Sequence, residues 1–255
     1  MWRSCDLLTT VEILMMAAAI FFTCALTTST GVGGGTLLLA LMLQFMPPAA
    51  AIPVHGAVQT FSNGWRVWLL RENMQWPIIL RFGIPMPLGI AAGLWLFQEM
   101  PKEWVQVLIG GFIFLTLFSH GLKSFRDQEL PLWVFIPSGF VVGALNIVIG
   151  VVGPVLSTFL VGRNLSRQSM VVTISVFSLM GHVFKVIGFA VVGFSFAEYG
   201  LAIVAMIPSI VLGTYLGRHL LGRISDTFFK KLLRTVLAGL AAKLVVWDGF
   251  FKGML

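Results

Sequence analysis

Acid is what this chain has least of. Only 10 of 255 residues are Asp or Glu against 17 Lys and Arg, and charged residues of both signs make up 11%. With 58% hydrophobic residues and a mean hydropathy of +0.94, that scarcity excludes an ordinary soluble domain and leaves a polytopic membrane protein. All ten acids lie near segment ends or in loops, Glu12 coming nearest to a membrane interior, so a carboxylate proton relay is not expected. If protons are moved, His55, His182 or a titrating substrate must carry them. Cysteine is nearly absent. Cys5 and Cys24 are too far apart for a C-x-x-C device and too few for a metal cluster. There is no H-E-x-x-H, no G-x-S-x-G, no Asp pair and no nucleotide-binding motif, which argues against an intramembrane enzyme and a primary pump alike. No metal and no cofactor are expected. The sequence also lacks any extramembrane stretch of 20 residues that could house soluble chemistry. Arg3 precedes an apolar stretch, but no small-x-small cleavage site follows and hydrophobicity resumes at once, so a cleavable signal peptide is not expected.

The basic residues that give the net charge of +7 are scattered singly between apolar runs. That spacing fits positive-inside loops and not a nucleic-acid patch, so nucleic acid is not an expected partner. The apolar segments run Val11–Met46, Ala49–Leu70, Pro77–Phe97 and Trp104–Leu122; after a polar connector, Lys123–Pro131, come Leu132–Val161, Ser169–Val192, Tyr199–Leu216 and Phe229–Phe250. The first of these is too long. As one straight helix its residues would reach roughly 54 Å, against roughly 30 Å of bilayer hydrocarbon. It contains A-L-T-T-S-T-G-V-G-G-G-T-L (Ala25–Leu37), with four glycines in five positions, and must break there. A second interruption, I-G-V-V-G-P-V-L, occupies Ile149–Leu156. Irregular backbone at membrane depth survives only where it lines a cavity or is buried in protein, and paired interrupted segments point to a transporter substrate site.

The halves repeat in sequence. Gly31-x-x-Gly34 matches Gly150-x-x-Gly153, Phe61-Ser62 matches Phe177-Ser178, and Ile84-Pro85 with Gly89-x-x-x-Gly93 matches Ile207-Pro208 with Gly213-x-x-x-Gly217. The offsets are 119, 116, 123 and 124, as an internal duplication with small loop changes requires. The expected repeats are residues 1–125 and 132–255. If each interrupted run crossed once, the basic loops of the two halves would fall on opposite sides. If each returns as a hairpin, Arg66, Arg71, Arg81, Lys123 and Arg126 share one face with Arg163, Arg167, Arg218, Arg223, Lys230, Lys231 and Arg234. The hairpin is adopted, with both termini outside the cytoplasm. The expected fold is all-α: two inverted repeats, each a glycine-broken helical hairpin followed by three transmembrane helices. The limb Thr36–Met46 is short for this, reaching about 16 Å.

Second limbs beginning at Thr36 and Val155 would aim free amides and positive helix ends at the bends, a setting that attracts anions. This makes Thr30, Gly31, Gly33, Gly34, Gly35, Thr36, Gly150, Gly153 and Ser157 candidates. The glycines could instead serve only close helix packing, the reading preferred for Gly89-x-x-x-Gly93 and Gly213-x-x-x-Gly217. On the helix after the first hairpin His55, Gln59 and Asn63 share a face, with Ser62 and Arg66 beside it; in the second half Ser175, Ser178, His182 and Lys185 form the corresponding stripe. Polar side chains at membrane depth usually face a cavity. Lys185 stands out because no Asp or Glu lies at comparable depth; either it snorkels to an interface or its counter-ion is the substrate.

With these two glycine-broken runs, the T-G-V-G-G-G-T-L-L-L-A-L start and the I-P-x-x-x-G-x-x-x-G third segments, the chain resembles the TauE/SafE family of sulfite and organosulfonate exporters over nearly its whole length. The second copy departs from the fuller pattern, with Val152 and Pro154 where the first has Gly33 and Gly35. The resemblance implies a secondary transporter that exports a small sulfur-containing anion, such as sulfite, sulfoacetate or thiosulfate, across a bacterial inner membrane. Its partners would be that anion and the lipid bilayer. A passive anion channel, and a membrane enzyme or assembly factor without transport, are the alternatives. Neither the oligomeric state nor the driving ion follows from the sequence.

Overall fold

The computed structural model describes residues 9–30, 34–101, 104–105, 107–112, 129–148, 159–160, 163, 165–220 and 235. Its long elements are helices: α1 (Thr10–Thr30), α2 (Gly34–Met42), α3 (Pro48–Leu70), α4 (Trp76–Gly83), α5 (Met86–Glu99), α6 (Phe135–Val148), α7 (Arg167–Val191) and α8 (Gly200–Leu220). No strand occurs among the described residues. Local chemistry sets their ends. Thr9 and Glu12 form a reciprocal capping box at the start of α1, in which the Thr9 amide donates to the Glu12 carboxylate at 2.8 Å and the Glu12 amide to Thr9 Oγ1 at 3.3 Å. The carboxylate nearest the membrane interior is thus a cap. Pro48 occupies the first turn of α3, where its missing N–H is no loss. Ser166 Oγ accepts the Ser169 amide at 3.1 Å to cap α7. At the other end of α7, Gly193 takes φ +90°, and the Phe194 amide returns to Phe189 O at 2.9 Å in a Schellman closure.

Four helical stretches, Thr10–Thr28, Trp76–Glu99, Gln168–Val191 and Phe196–His219, are long and apolar enough to cross a membrane. The molecule is inside-out by soluble standards. Phe22, Ile84, Leu88, Trp95, Val191 and Leu201 are exposed, while His55, Asn63, Arg66, His182 and Lys185 are buried. An apolar exterior around buried polar groups suits a chain solvated by lipid.

The closest helix pairs join the two halves: α1 with α8, α5 with α6, and α3 with α7. Gly213 and Gly217 of α8 lie against the backbone of Phe21 and Ala25 of α1, so these helices run parallel. Gly89 and Gly93 of α5 lie likewise against Phe140 and Ala144 of α6, also parallel. The packing reading of both glycine pairs therefore holds. The α3–α7 pair runs the other way, since His55 meets His182 whereas Arg66, eleven residues on, meets Ser175, seven residues back.

The break in the first apolar run falls where the glycines predict. Helix α1 is described to Thr30 and α2 from Gly34, so the expected Thr36 lies inside α2, which packs back against α1. A Cβ on Gly34 would strike Thr27 Oγ1 and Thr23 O, and Thr27 Oγ1 is pinned by its own 2.8 Å hydrogen bond to Thr23 O. Gly34→Ala is therefore expected to destabilise the fold by about 1–3 kcal/mol through overpacking. Thermal unfolding of the purified variant in detergent checks this, and a wild-type melting curve would mean that α2 does not lie on α1.

Two other expectations change. The segment Pro77–Phe97 is not one uninterrupted helix: it is interrupted at Ile84-Pro85, where Pro85 cannot donate to the ladder, although Ile84 keeps helical backbone and its amide bonds Leu80 O at 3.1 Å. Pro208, its match in α8, causes no such break. Arg66, counted above among loop residues, is 4% exposed inside α3 and contributes nothing to a loop. The second interrupted run after Val148, most of the connector and the segment Phe229–Phe250 lie outside the described residues.

Candidate functional site

The stripe on α3 and the stripe on α7 face each other across the antiparallel pair, and each is held by bonds to its own helix. Asn63 Nδ2 donates to Gln59 O at 2.8 Å, leaving Oδ1 to accept from Arg66 Nη1 at 3.1 Å. Ser175 Oγ donates to Val171 O at 2.8 Å and accepts from the same Nη1 at 3.3 Å. Arg66 Nη2 reaches Ser62 Oγ at 3.4 Å. All three partners are neutral. A guanidinium has five N–H donors. Nη1 has spent both of its own here, but among the described residues Nε is buried with no partner and one Nη2 hydrogen remains. The buried charge is held in place by dipoles, with one donor edge left open.

Ser62 also ties the cluster to α1, its Oγ lying 3.2 Å from Cys24 Sγ. One turn further along α1 is Thr28, whose Oγ1 is buried without a partner. The adjoining turn of α1, Thr23 and Thr27, receives the first residue of α2. The N-terminus of α2, with Gly34, Gly35 and the buried Thr36, and the Arg66 cluster thus gather on one stretch of α1. Four amides in that first helical turn lack an intrahelical acceptor, and the helix dipole favours negative charge there.

Nearer the start of α3 lies a second group. His55 Nε2 donates to Gly35 O at 3.0 Å; a carbonyl can only accept, so the ring proton is on Nε2. Its ring stands edge-on to His182 of α7, with centroids 5.4 Å apart. Lys185, one turn beyond His182, is fully buried with its methylenes against Gly56, the nearest 3.1 Å from where a Cβ would stand. It does not snorkel.

Of the residues expected at a site, the structure joins Gln59, Asn63 and Arg66 in one cluster and Gly35, through His55, to the group that holds His182 and Lys185, with Gly34 and Thr36 flanking Gly35 on α2. Ser178 lies between Ser175 and His182 on α7 and is half-buried. Thr30 is the last residue of α1. Gly31, Gly33, Gly150, Gly153 and Ser157 lie outside the described residues. Sequence reasoning missed two. Cys24, taken as incidental, contacts the arginine's own partner, and nothing within its segment signals a neighbour 38 residues away. Asn146 of α6 is 1% exposed, its amide against Gly181 and its Oδ1 unpartnered. The repeat could have found it, because the 119-residue offset pairs Asn146 with Thr27.

A family model described as "Sulfite exporter TauE/SafE" matches residues 16–244. No curated protein matches the chain. No solved structure matches it either.

Proposed function

Because the chain belongs to the sulfite exporter TauE/SafE family, a family of membrane transporters, we propose that it exports a small sulfur-containing oxyanion across a bacterial inner membrane by alternating access. One observation carries the site: Arg66 is buried, all its partners are neutral, and Nε with one Nη2 hydrogen stays open. That edge of a guanidinium presents two parallel N–H groups at the spacing of two oxygens on one sulfur, so sulfite or the head of an organosulfonate matches it bidentately. Amides at the start of α2 and the hydroxyl of Thr28 supply further donors from the same stretch of α1.

The alternating-access part rests on the pattern of helix pairs. The first helix of each half packs parallel to the third of the other, α1 on α8 and α6 on α5, while the second helices, α3 and α7, oppose each other antiparallel. Exchanging the halves maps this pattern onto itself. The reversal at α3–α7 favours inverted over parallel repeats, with 1–125 and 132–255 as the two units. The site then lies at the seam between them.

The test is counterflow in proteoliposomes, in which unlabelled sulfite inside should drive transient accumulation of labelled sulfite. Unitary currents without counterflow would identify a channel, and absence of both would overturn transport. Lys185 provides a second cation along the α3–α7 seam. Lys185→Met keeps the buried methylenes and removes the charge, so sulfite affinity is expected to fall roughly tenfold or more while the melting temperature holds. Unchanged affinity would exclude Lys185 from the path.

A further inference from the structure

Two buried imidazoles, His55 and His182, have no part in holding an oxyanion on Arg66, yet both belong to the same helix seam. Each leaves its Nδ1 buried without a hydrogen-bond partner. For His55 the tautomer follows from the Gly35 carbonyl, so its Nδ1 is a bare lone pair in a site with no described donor to meet it. A buried acceptor left unmet is unfavourable, and it is rarer still to find two on rings 5.4 Å apart.

We propose that the His55–His182 pair is a proton-binding site whose occupancy is coupled to anion transport; the proposal rests on the transport reading above. The proton comes from water on the open side, enters an Nδ1 lone pair, converts that imidazole to imidazolium and leaves by the same atom. No other bond is made or broken.

The surrounding charges support this assignment. Among the described residues Lys185 on α7 is the charged group that acts on both rings, and His55 acts on His182. Further along α3 the next cation is Arg66, three turns away. Neither α2 nor α6 carries an ionisable side chain, and α1 carries Glu12, bonded to Thr9 at its outer end, and Cys24 beside Ser62. Those of α4, α5, α8 and the turn after α3, namely Arg81, Glu99, Arg218, His219, Arg71 and Glu72, are at exposed positions. With Lys185 so near and no acid among the described residues facing the rings, an extra proton adds to the positive charge that Lys185 brings to the site. An entering anion offsets it. Proton and anion therefore favour each other's binding, and by linkage the effect is reciprocal. The two sites are linked through α2, because His55 is bonded to Gly35 near the helix start whose amides are offered to the anion.

Bound together, proton and anion travel in the same direction. Thiosulfate is the probe to use, since it stays a dianion across the neutral range and brings no proton of its own. In proteoliposomes loaded with thiosulfate and a trapped pH dye, efflux through the wild-type protein should alkalinise the lumen. His55→Gln, whose side-chain amide can still donate to Gly35 O, and His182→Gln should each lower the ratio of protons to anions moved by roughly tenfold or more. Reading a ratio separates loss of coupling from loss of rate. Anion flux without protons in the wild type, or protons still following in both variants, overturns the proton site and leaves the transport reading standing. Absence of any anion flux overturns both. Should the variants fail to fold, proton uptake by the purified wild-type protein on adding thiosulfate in unbuffered detergent solution decides, and no uptake refutes the proposal.

Discussion

Arg66→Gln is expected to abolish sulfite binding and transport while leaving the protein folded, the largest functional effect of any single substitution here. Removing one member of a buried, hydrogen-bonded charge pair typically costs about 2–5 kcal/mol, or a loss of roughly thirty-fold to several thousand-fold in affinity. Buried arginines are usually lethal to replace because they leave a buried carboxylate stranded. That does not apply here. The partners are Asn63, Ser175 and Ser62, and two of them keep another bond within their own helix, Asn63 to Gln59 O and Ser175 to Val171 O. What the variant loses in hydrogen bonds is offset by no longer desolvating a cation. Melting temperature should therefore stay close to wild type while sulfite counterflow disappears. Arg66→Lys separates charge from shape: an ammonium retains the attraction but not the two parallel N–H groups, so binding should be intermediate. Equal transport by wild type and Arg66→Gln would place the anion elsewhere.

Much of this arrangement is legible in the amino-acid sequence alone, and the reasons differ from residue to residue. The break after Thr30 can be read because four glycines cannot sit in an over-long apolar run without interrupting it. The polar stripe on α3 can be read because positions 55, 59, 62, 63 and 66 fall on one helical face. Arg66 nonetheless receives two incompatible places from the sequence, as a site residue and as a loop charge. Lying four residues from the end of α3 and five from Arg71, it sits where a long basic side chain ordinarily snorkels to water. Its burial is decided by Ser175, 109 residues away, and no local pattern carries that information. The same holds for Cys24. The break at Pro85 and the continuity through Pro208 show another limit of pattern: matched prolines in matched segments differ because Pro85 is followed by Pro87 and Pro208 stands alone, so only the first removes two amides from one turn.

The division of labour among helix pairs follows from what lies between them. Across α1–α8 and α5–α6 the backbones themselves come into contact at the glycines, where no side chain can swing aside. Across α3–α7 the contact is made by Arg66, Ser175, the two histidines and Lys185. In the proposed carrier the first two pairs act as rigid bodies joining the halves, and the hydrogen-bonded α3–α7 seam is where opening toward either side takes place.

The largest structural effects should accordingly come from adding a single methyl group at the backbone contacts. A Cβ on Gly89 would stand 2.7 Å from the carbonyl carbon and 2.9 Å from the Cα of Phe140; on Gly213 it would stand 3.0 Å from the carbonyl carbon of Phe21. Backbone cannot rotate away as a side chain can, so the helices must separate and surrender dispersion contacts along their whole length. In lipid that loss is not softened by a hydrophobic drive to re-associate, since the bilayer solvates the parted faces equally well. Gly89→Ala and Gly213→Ala should each destabilise by about 3 kcal/mol or more, at the upper end of overpacking effects. Gly83→Ala should be milder, because its neighbour is the terminal methyl group of Met180, which can swing aside. Gly111 lies in a helix, and a methyl group added there would have no neighbour within 4 Å among the described residues, so Gly111→Ala should be neutral or stabilise by up to about 1 kcal/mol through helix propensity. Melting of the four variants in one detergent checks the order. If Gly89→Ala and Gly111→Ala melt alike, the two halves are not joined backbone to backbone, and the rigid pairs on which the carrier reading depends do not exist.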